Sequence, residues 1–263
     1  MKRMSERKRV GLALASGGGR GVAHIGVLQV LLEHNIPIDL ISGTSAGALV
    51  AAIYAAGTDL TMLEKYVYTL LPKDILDPTV VTRGGILSGN KVQELIRVLS
   101  HDLMVEDTKI PCFIGATDLE SAQFHIFEHC KLHEAARASM AIPGVFTPVC
   151  VKGRWYIDGG TLQELPVQVL RDHGADVVIA VDLSIKSPFA VDPVKGPSAH
   201  ATVMRAFDLM QKEITRLRDD RVDVRIKPDV SFMGMVSTSG AERAVEIGRA
   251  CAISALPEIE ALL

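Results

Sequence analysis

Gly43-Thr44-Ser45-Ala46-Gly47 places a serine between glycines two positions away on either side. In a nucleophile elbow the serine sits on a strained turn between a strand and a helix, and only small neighbours let those elements approach closely. Gly43 and Gly47 meet that need, so Ser45 is a candidate nucleophile for acyl transfer. The alternative is a glycine-bearing turn in which Ser45 merely caps a helix.

Ser16-Gly17-Gly18-Gly19-Arg20-Gly21 lies earlier in the chain. No Gly-Lys-Ser/Thr follows, which excludes a Walker loop. A dinucleotide fingerprint fits badly, with Val22 where the third glycine belongs and Asp39 at the start of its strand rather than near its end. An oxyanion hole suits the residues better, because amides of Gly17, Gly18 and Gly19 can approach a reacting carbonyl with no Cβ in the way. Arg20 either fixes the loop, adds positive potential or is an ordinary surface arginine.

A serine nucleophile needs a proton acceptor. His173 and His200 come late enough for a Ser–Asp–His order, but neither sits in a motif, and a surface or structural role is the simpler reading for both. Asp158 follows a short apolar strand and precedes Gly159-Gly160, which suits a carboxylate in a tight turn at a strand end. The C-terminal edge of a parallel sheet is where catalytic loops gather. Asp118 and Asp182 also close strands but lack a Gly-Gly pair. Local chemistry leaves a plain turn aspartate as an equal alternative for Asp158.

These residues need a scaffold of alternating strands and helices. Strands are expected over Val10–Ala15, Asp39–Ser42, Ile110–Thr117, Gln123–Phe127, Trp155–Ile157, Ala175–Leu183 and Val222–Ile226. Helices are expected over Val22–His34, Ser45–Ala56, Leu60–Leu71, Lys91–Leu99 (capped by Ser88 or Asn90), Leu132–Met140, Thr202–Arg218 and from Ala241. The alternation predicts an α/β fold, a mainly parallel central sheet flanked by helices. Two turn-rich segments, Ser187–Ser198 (with Pro188, Pro193, Gly196 and Pro197) and Pro228–Gly240, are placed to border a site. The apolar side chains of Ala46–Ala56 and the Phe232–Met235 stretch are candidates for an acyl channel, with core packing the simpler role for most of the helix.

The 263 residues are 48% hydrophobic with a net charge of -3, enough for one large core and no indication of a nucleic-acid partner. Cys112, Cys130, Cys150 and Cys251 are scattered, suggesting reduced thiols and no zinc site. No metal or cofactor is called for. Val10–Ala15 is shorter than the roughly 7–15 residues of a signal-peptide core. Ala46–Ala56 is short of the roughly 20 residues that span a bilayer. A cytoplasmic protein, with at most peripheral membrane contact, is expected. Residues 1–9 form a basic tail (Lys2, Arg3, Arg7, Lys8, Arg9) expected to fray in solvent or to touch anionic lipid, and residues 10–263 a single domain.

The three motifs, in this order, resemble the patatin-like phospholipase family in its compact bacterial form. The resemblance extends through GVAHIGVLQVL, GGILSGNKV, KIPCFIGATDLE, ARASMAIPGVFTPV before YIDGG, and GADVVIAVDL. It implies a three-layer patatin-like fold and a Ser–Asp dyad without histidine. Ser45 would be the nucleophile, Asp158 the base, and the Gly17–Gly19 amides the oxyanion hole, supported by Arg20, Gly43, Gly47 and Gly159. The implied substrate is a lipid or other acyl ester. The alternatives are a thioesterase or small-ester esterase with the same dyad, or a regulatory protein of the same fold with little turnover. One departure stands out: the family loop reads Gly-Gly-Gly-x-Arg-Gly, and its first position here is Ser16.

Overall fold

The computed structural model describes residues 7–79, 84–184, 195–218, 221–234 and 237–263. The first half runs β1 (Val10–Leu14), α1 (Ala23–Glu33), β2 (Leu40–Thr44), α2 (Ala46–Ala55), α3 (Leu60–Thr69), α4 (Pro72–Ile75), β3 (Gly85–Leu87), α5 (Asn90–Leu99) and β4 (Cys112–Asp118). The second half runs β5 (Gln123–Phe127), α6 (Leu132–Ser139), β6 (Gly144–Phe146), β7 (Val149–Val151), β8 (Arg154–Asp158), α7 (Gln168–Asp172), β9 (Val177–Val181), α8 (Ala199–Leu217), β10 (Val224–Ile226) and α9 (Ala241–Leu262).

The main sheet has the order β10-β9-β1-β2-β4-β8-β7, with β5 also on β4. From β10 to β4 every pairing is parallel. Beyond β4 the sheet turns antiparallel. It is therefore mixed at the end that matters here: β8, which carries Asp158, runs against β4 rather than with it. The expectation of a parallel-strand edge for Asp158 is corrected accordingly. The short β7–β8 connection, Lys152 and Gly153, both at positive φ, makes a hairpin, and a hairpin produces antiparallel neighbours.

Alternate residues of the central strands serve opposite faces. Val10, Leu12, Leu14, Val177, Ile179 and Val181 pack into the larger apolar cluster with α1, α2 and α9. Ala13, Val178 and Ala180 pack on the other face with Leu165, Val167 and Leu170. Continuous apolar runs such as Val177–Val181 reflect burial on both faces.

Several sequence expectations need correcting. Neither Ser88 nor Asn90 caps α5; Gly89 does, in the left-handed conformation (φ 71°). The side chain that serves this helix start is distant, with Asp77 accepting from the amides of Gly89 (2.8 Å) and Lys91 (3.1 Å). The N-terminal residues Arg7, Lys8 and Arg9 do not fray: Arg7 forms a two-pronged pair with Asp39, Lys8 donates to the Leu262 carbonyl, and Arg9 to that of His173. Lys2, Arg3, Pro188, Pro193 and Met235 lie outside the described residues. The short strands β3 and β6, which pair in a separate two-stranded sheet, escaped prediction because three residues carry too little pattern.

Candidate active site

Sheet register brings the site together. Thr44 of β2 pairs with Gly115 of β4, and Ala116 of β4 pairs with Asp158 of β8. Ser45 and Asp158 therefore flank β4 at nearly the same level, with only a glycine and an alanine between them. The Ser45 hydroxyl donates to Asp158 Oδ2 at 2.6 Å. The other carboxylate oxygen, Oδ1, accepts from the Gly160 amide at 2.7 Å.

Ser45 stands at φ 53° and ψ −120° at the start of α2. A non-glycine residue held there costs on the order of 1–3 kcal/mol, which the surroundings must offset. Part of the restraint comes from Ser139 at the end of α6: its hydroxyl accepts from the Ser45 amide (2.8 Å) and donates to the Gly115 carbonyl (2.6 Å). The elbow also needs its glycines. A Cβ on Gly47 would lie 2.2 Å from the Leu14 carbonyl oxygen, and one on Gly43 2.4 Å from that of Gly47. Gly159 opens the turn after Asp158, where a Cβ would meet the Gly115 carbonyl.

The glycine-rich loop forms a turn of 3-10 helix, Gly18–Val22, with Gly18 at φ 57°. Gly21 packs so closely on Ala46 that a Cβ would sit 2.4 Å from the alanine's, which presses the loop against the residue after the nucleophile. Arg20 turns back and donates from Nε to the Gly17 carbonyl at 2.9 Å, so it fixes the loop. Buried His24 approaches the Ala15 carbonyl through Nε2 at 2.9 Å, and burial pushes its pKa down to about 4. Ser16 has no positive φ, so the usual glycine is not required there; its hydroxyl reaches Glu164 at 3.4 Å. The first positive φ of the loop falls at Gly18, two positions on.

Ser45 is 3% exposed and Asp158 2%. Burial pushes the Asp158 carboxyl up from its ordinary 3.8 to about 7. The hydrogen bonds from Ser45 and the Gly160 amide oppose that rise, and the nearby Glu164 charge adds to it. A carboxylate in water is too weak a base to share a serine proton near neutrality; one with this affinity is matched to the task.

Two spaces meet at Ser45. One is an apolar cavity of about 190 Å³, bounded by Gly18, Gly19, Leu49, Val50, Ile53 and side chains of α3 and α5. The other is a polar pocket of about 40 Å³ between the loop and α8, bounded by Ser16, Arg20, Asp158, Glu164, Asp208 and Gln211. No histidine borders either space among the described residues. His173 approaches the Val169 carbonyl through Nδ1 and stacks on Phe113; the His200 side chain lies outside the described residues. Asp118 and Asp182 are held in ion pairs with Arg154 and Arg225.

Of the α2 residues, Leu49, Val50 and Ile53 border the apolar cavity, while Ala48, Ala51 and Ala52 only fill the core. The expectation that Phe232 and Met233 line a channel is corrected, since neither borders the cavity. Phe232 lies under the Arg243 guanidinium at 4.3 Å, and Met233 is buried in the core; Ser237, Thr238 and Ala241 border the cavity instead. Sequence reasoning missed Ser139 as the support of the elbow and Glu164 as the half-buried acid of the polar pocket. Ser139 stands inside ARASMAIPGVFTPV, and that conspicuous run was the available signal.

Fold and site together define a three-layer α/β protein with a strained serine bonded to a buried carboxylate beside a glycine-rich loop. The family model for patatin-like phospholipases matches residues 12–171, and the chain belongs to that family. It is 40% identical over 185 residues to an uncharacterized NTE family protein of Mycobacterium tuberculosis, covering 69% of this chain and 51% of that protein. A second such protein from the same organism is 30% identical over 274 residues, covering 95% of this chain and 46% of that protein. The chain thus spans about half the length of these relatives. Among solved structures, VipD from Legionella pneumophila has a similar fold, with a TM-score of 0.66 at 14% identity over 96% of this chain and 67% of that one. The type III effector protein ExoU gives a TM-score of 0.55 at 16% identity, over 97% of this chain and 54% of that one. Among the described residues, no helix is long and apolar enough to cross a membrane.

Proposed function

We propose that the protein is a lipid acyl hydrolase that uses Ser45 and Asp158 as a dyad and forms an acyl-enzyme intermediate. The observation that carries this reading is the 2.6 Å bond from the Ser45 hydroxyl to a carboxylate whose pKa stands at about 7. Ser45 Oγ attacks the ester carbonyl carbon while its proton passes to Asp158 Oδ2. The carbonyl oxygen becomes an oxyanion, and we assign the Gly17–Gly19 amides and the Ala46 amide at the start of α2 as its donors. The Ser45 amide is already committed to Ser139 and leaves that duty to the others. As the tetrahedral intermediate collapses, the bond to the alcohol oxygen breaks and Asp158 returns the proton to that oxygen. Water then attacks the acyl group, gives its proton to Asp158, and collapse releases the acid and restores the Ser45 hydroxyl.

The apolar cavity suits the acyl chain and the polar pocket the alcohol part of the ester. That division favours a lipid ester over a small polar one. Hydrolysis of p-nitrophenyl esters and of a phospholipid by the wild type and by Ser45→Ala tests the reading. Turnover that vanishes with Ser45 supports it; turnover that persists in Ser45→Ala contradicts it.

A further inference from the structure

The apolar cavity beside Ser45 runs along α2. From Ser45 to Ile53 the cavity follows eight residues of helix, about 12 Å at 1.5 Å per residue. Tyr66 of α3 and Leu95 and Leu99 of α5 also bound it. These side chains also form the inner wall of a surface groove of about 510 Å³, floored by Val98 and rimmed by Asp74, Asn90, Lys91 and Glu94. The partition between inside and outside is thus one side chain thick. Tyr66 is 40% exposed, and its hydroxyl makes no hydrogen bond to any described residue, so its ring can swing without breaking one. Exposed side chains of this kind change rotamer in picoseconds to nanoseconds.

We propose that this partition is a second portal of the acyl cavity, through which the distal part of a long acyl chain passes between α3 and α5 into the outer groove. The inference rests on the acyl hydrolase reading of Ser45 and names its substrate class, long-chain acyl esters. An extended alkyl chain built from C–C bonds of about 1.5 Å advances about 1.3 Å per carbon. About nine or ten carbons therefore reach from Ser45 to the level of Ile53. Shorter chains stay within the closed cavity; chains of twelve to sixteen carbons need the passage at Tyr66, Leu95 and Leu99. The groove has an apolar floor and a rim of mixed charge, which suits an alkyl tail on the floor and water at the edge.

The test compares hexadecanoyl with hexanoyl p-nitrophenyl esters in the wild type, in Leu95→Trp, which narrows the passage, and in Tyr66→Ala, which widens it. The ratio of kcat/KM for the long ester to that for the short one is expected to fall by about tenfold or more in Leu95→Trp and to rise in Tyr66→Ala. A ratio unchanged in both variants overturns the portal while leaving the hydrolase reading in place. Calorimetric binding of hexadecanoate and octanoate to Ser45→Ala protein, with and without Leu95→Trp, separates the two ideas. Selective loss of hexadecanoate binding supports the portal even if no ester is turned over, an outcome that would sink the hydrolase reading alone. Equal effects on both acids overturn the portal.

Discussion

The two spaces that meet at Ser45 are built from different materials. The apolar cavity is walled mainly by apolar side chains of α2, α3 and α5, and under the proposed function its selectivity would be one of length and width. The pocket on the α8 side holds Arg20, Glu164 and Asp208 beside Met204 and Phe207, and under the proposed function its selectivity would draw on charge and hydrogen bonding. Arg20 and Glu164 pay for this position: burial lowers the pKa of the first and raises that of the second. Asp208 is paired with Arg205 and Lys212 on α8 itself. The dyad lies on the boundary. Burial makes Asp158 a useful base, while Glu164 on the polar side raises its proton affinity further. Under the proposed function, chemistry at Ser45 would depend on both walls, whereas recognition would be divided between them.

Removing the boundary itself should have the largest effect. Ser45→Ala and Asp158→Asn are each expected to lower kcat by about 10³-fold or more, read on any ester that is turned over. The same Asp158 predicts the pH profile. With a pKa of about 7 the carboxylate fraction is about a hundredth at pH 5 and nine-tenths at pH 8, so kcat should rise by roughly 100-fold across that range. Stability should move the other way. The folded carboxyl binds its proton more tightly than the unfolded one, so the stability tied to that proton is present below about pH 4 and is lost as pH rises to about 7. Asp158→Asn lacks this loss, and denaturant melts at pH 5 and pH 8 should show the variant gaining on the wild type at the higher pH.

A smaller change tests whether the elbow is supported from the α6 side. Ser139→Ala removes the partner of the Ser45 amide and of the Gly115 carbonyl, at a cost of about 1–3 kcal/mol for buried groups left unsatisfied. Its kcat should fall more than its KM changes, because the loss is in positioning. The smallest expected effect belongs to the polar pocket. Gln211→Ala should alter KM by a few-fold for esters with polar alcohol parts and leave the acyl-length preference alone. A shift in acyl-length preference in that variant would break the division between the two spaces.

Much of the candidate site is legible in the sequence. Ser45 and Asp158 announce themselves because an elbow and a tight carboxylate turn demand glycines at fixed offsets, and such demands are local. What joins them is not local. The alignment of Thr44, Gly115, Ala116 and Asp158 across β4 is a matter of strand register, and the antiparallel run of β8 follows from a hairpin whose short strands carry little pattern. Ser139 escaped for the same reason, since it acts on Ser45 far away in the chain; Glu164 is near Asp158 in sequence, but its seat against Ser16 and Thr215 is a matter of tertiary packing. The acyl channel was half legible. Leu49, Val50 and Ile53 lie on a helix whose place was foreseen, but Tyr66 and Leu95 face them from helices whose packing no periodicity reveals. Phe232 and Met233 misled because a loop rich in large apolar residues reads equally well as a channel wall or as core filling.

The central claim is that Asp158 activates Ser45. Fluorophosphonate labelling, followed by peptide mapping and measured between pH 5 and pH 8 in the wild type and in Asp158→Asn, tests it most directly. The account predicts label on Ser45 alone, a labelling rate that climbs through about pH 7, and at most a trace in Asp158→Asn. Label on another residue, or an Asp158→Asn protein labelled at the wild-type rate, would contradict it.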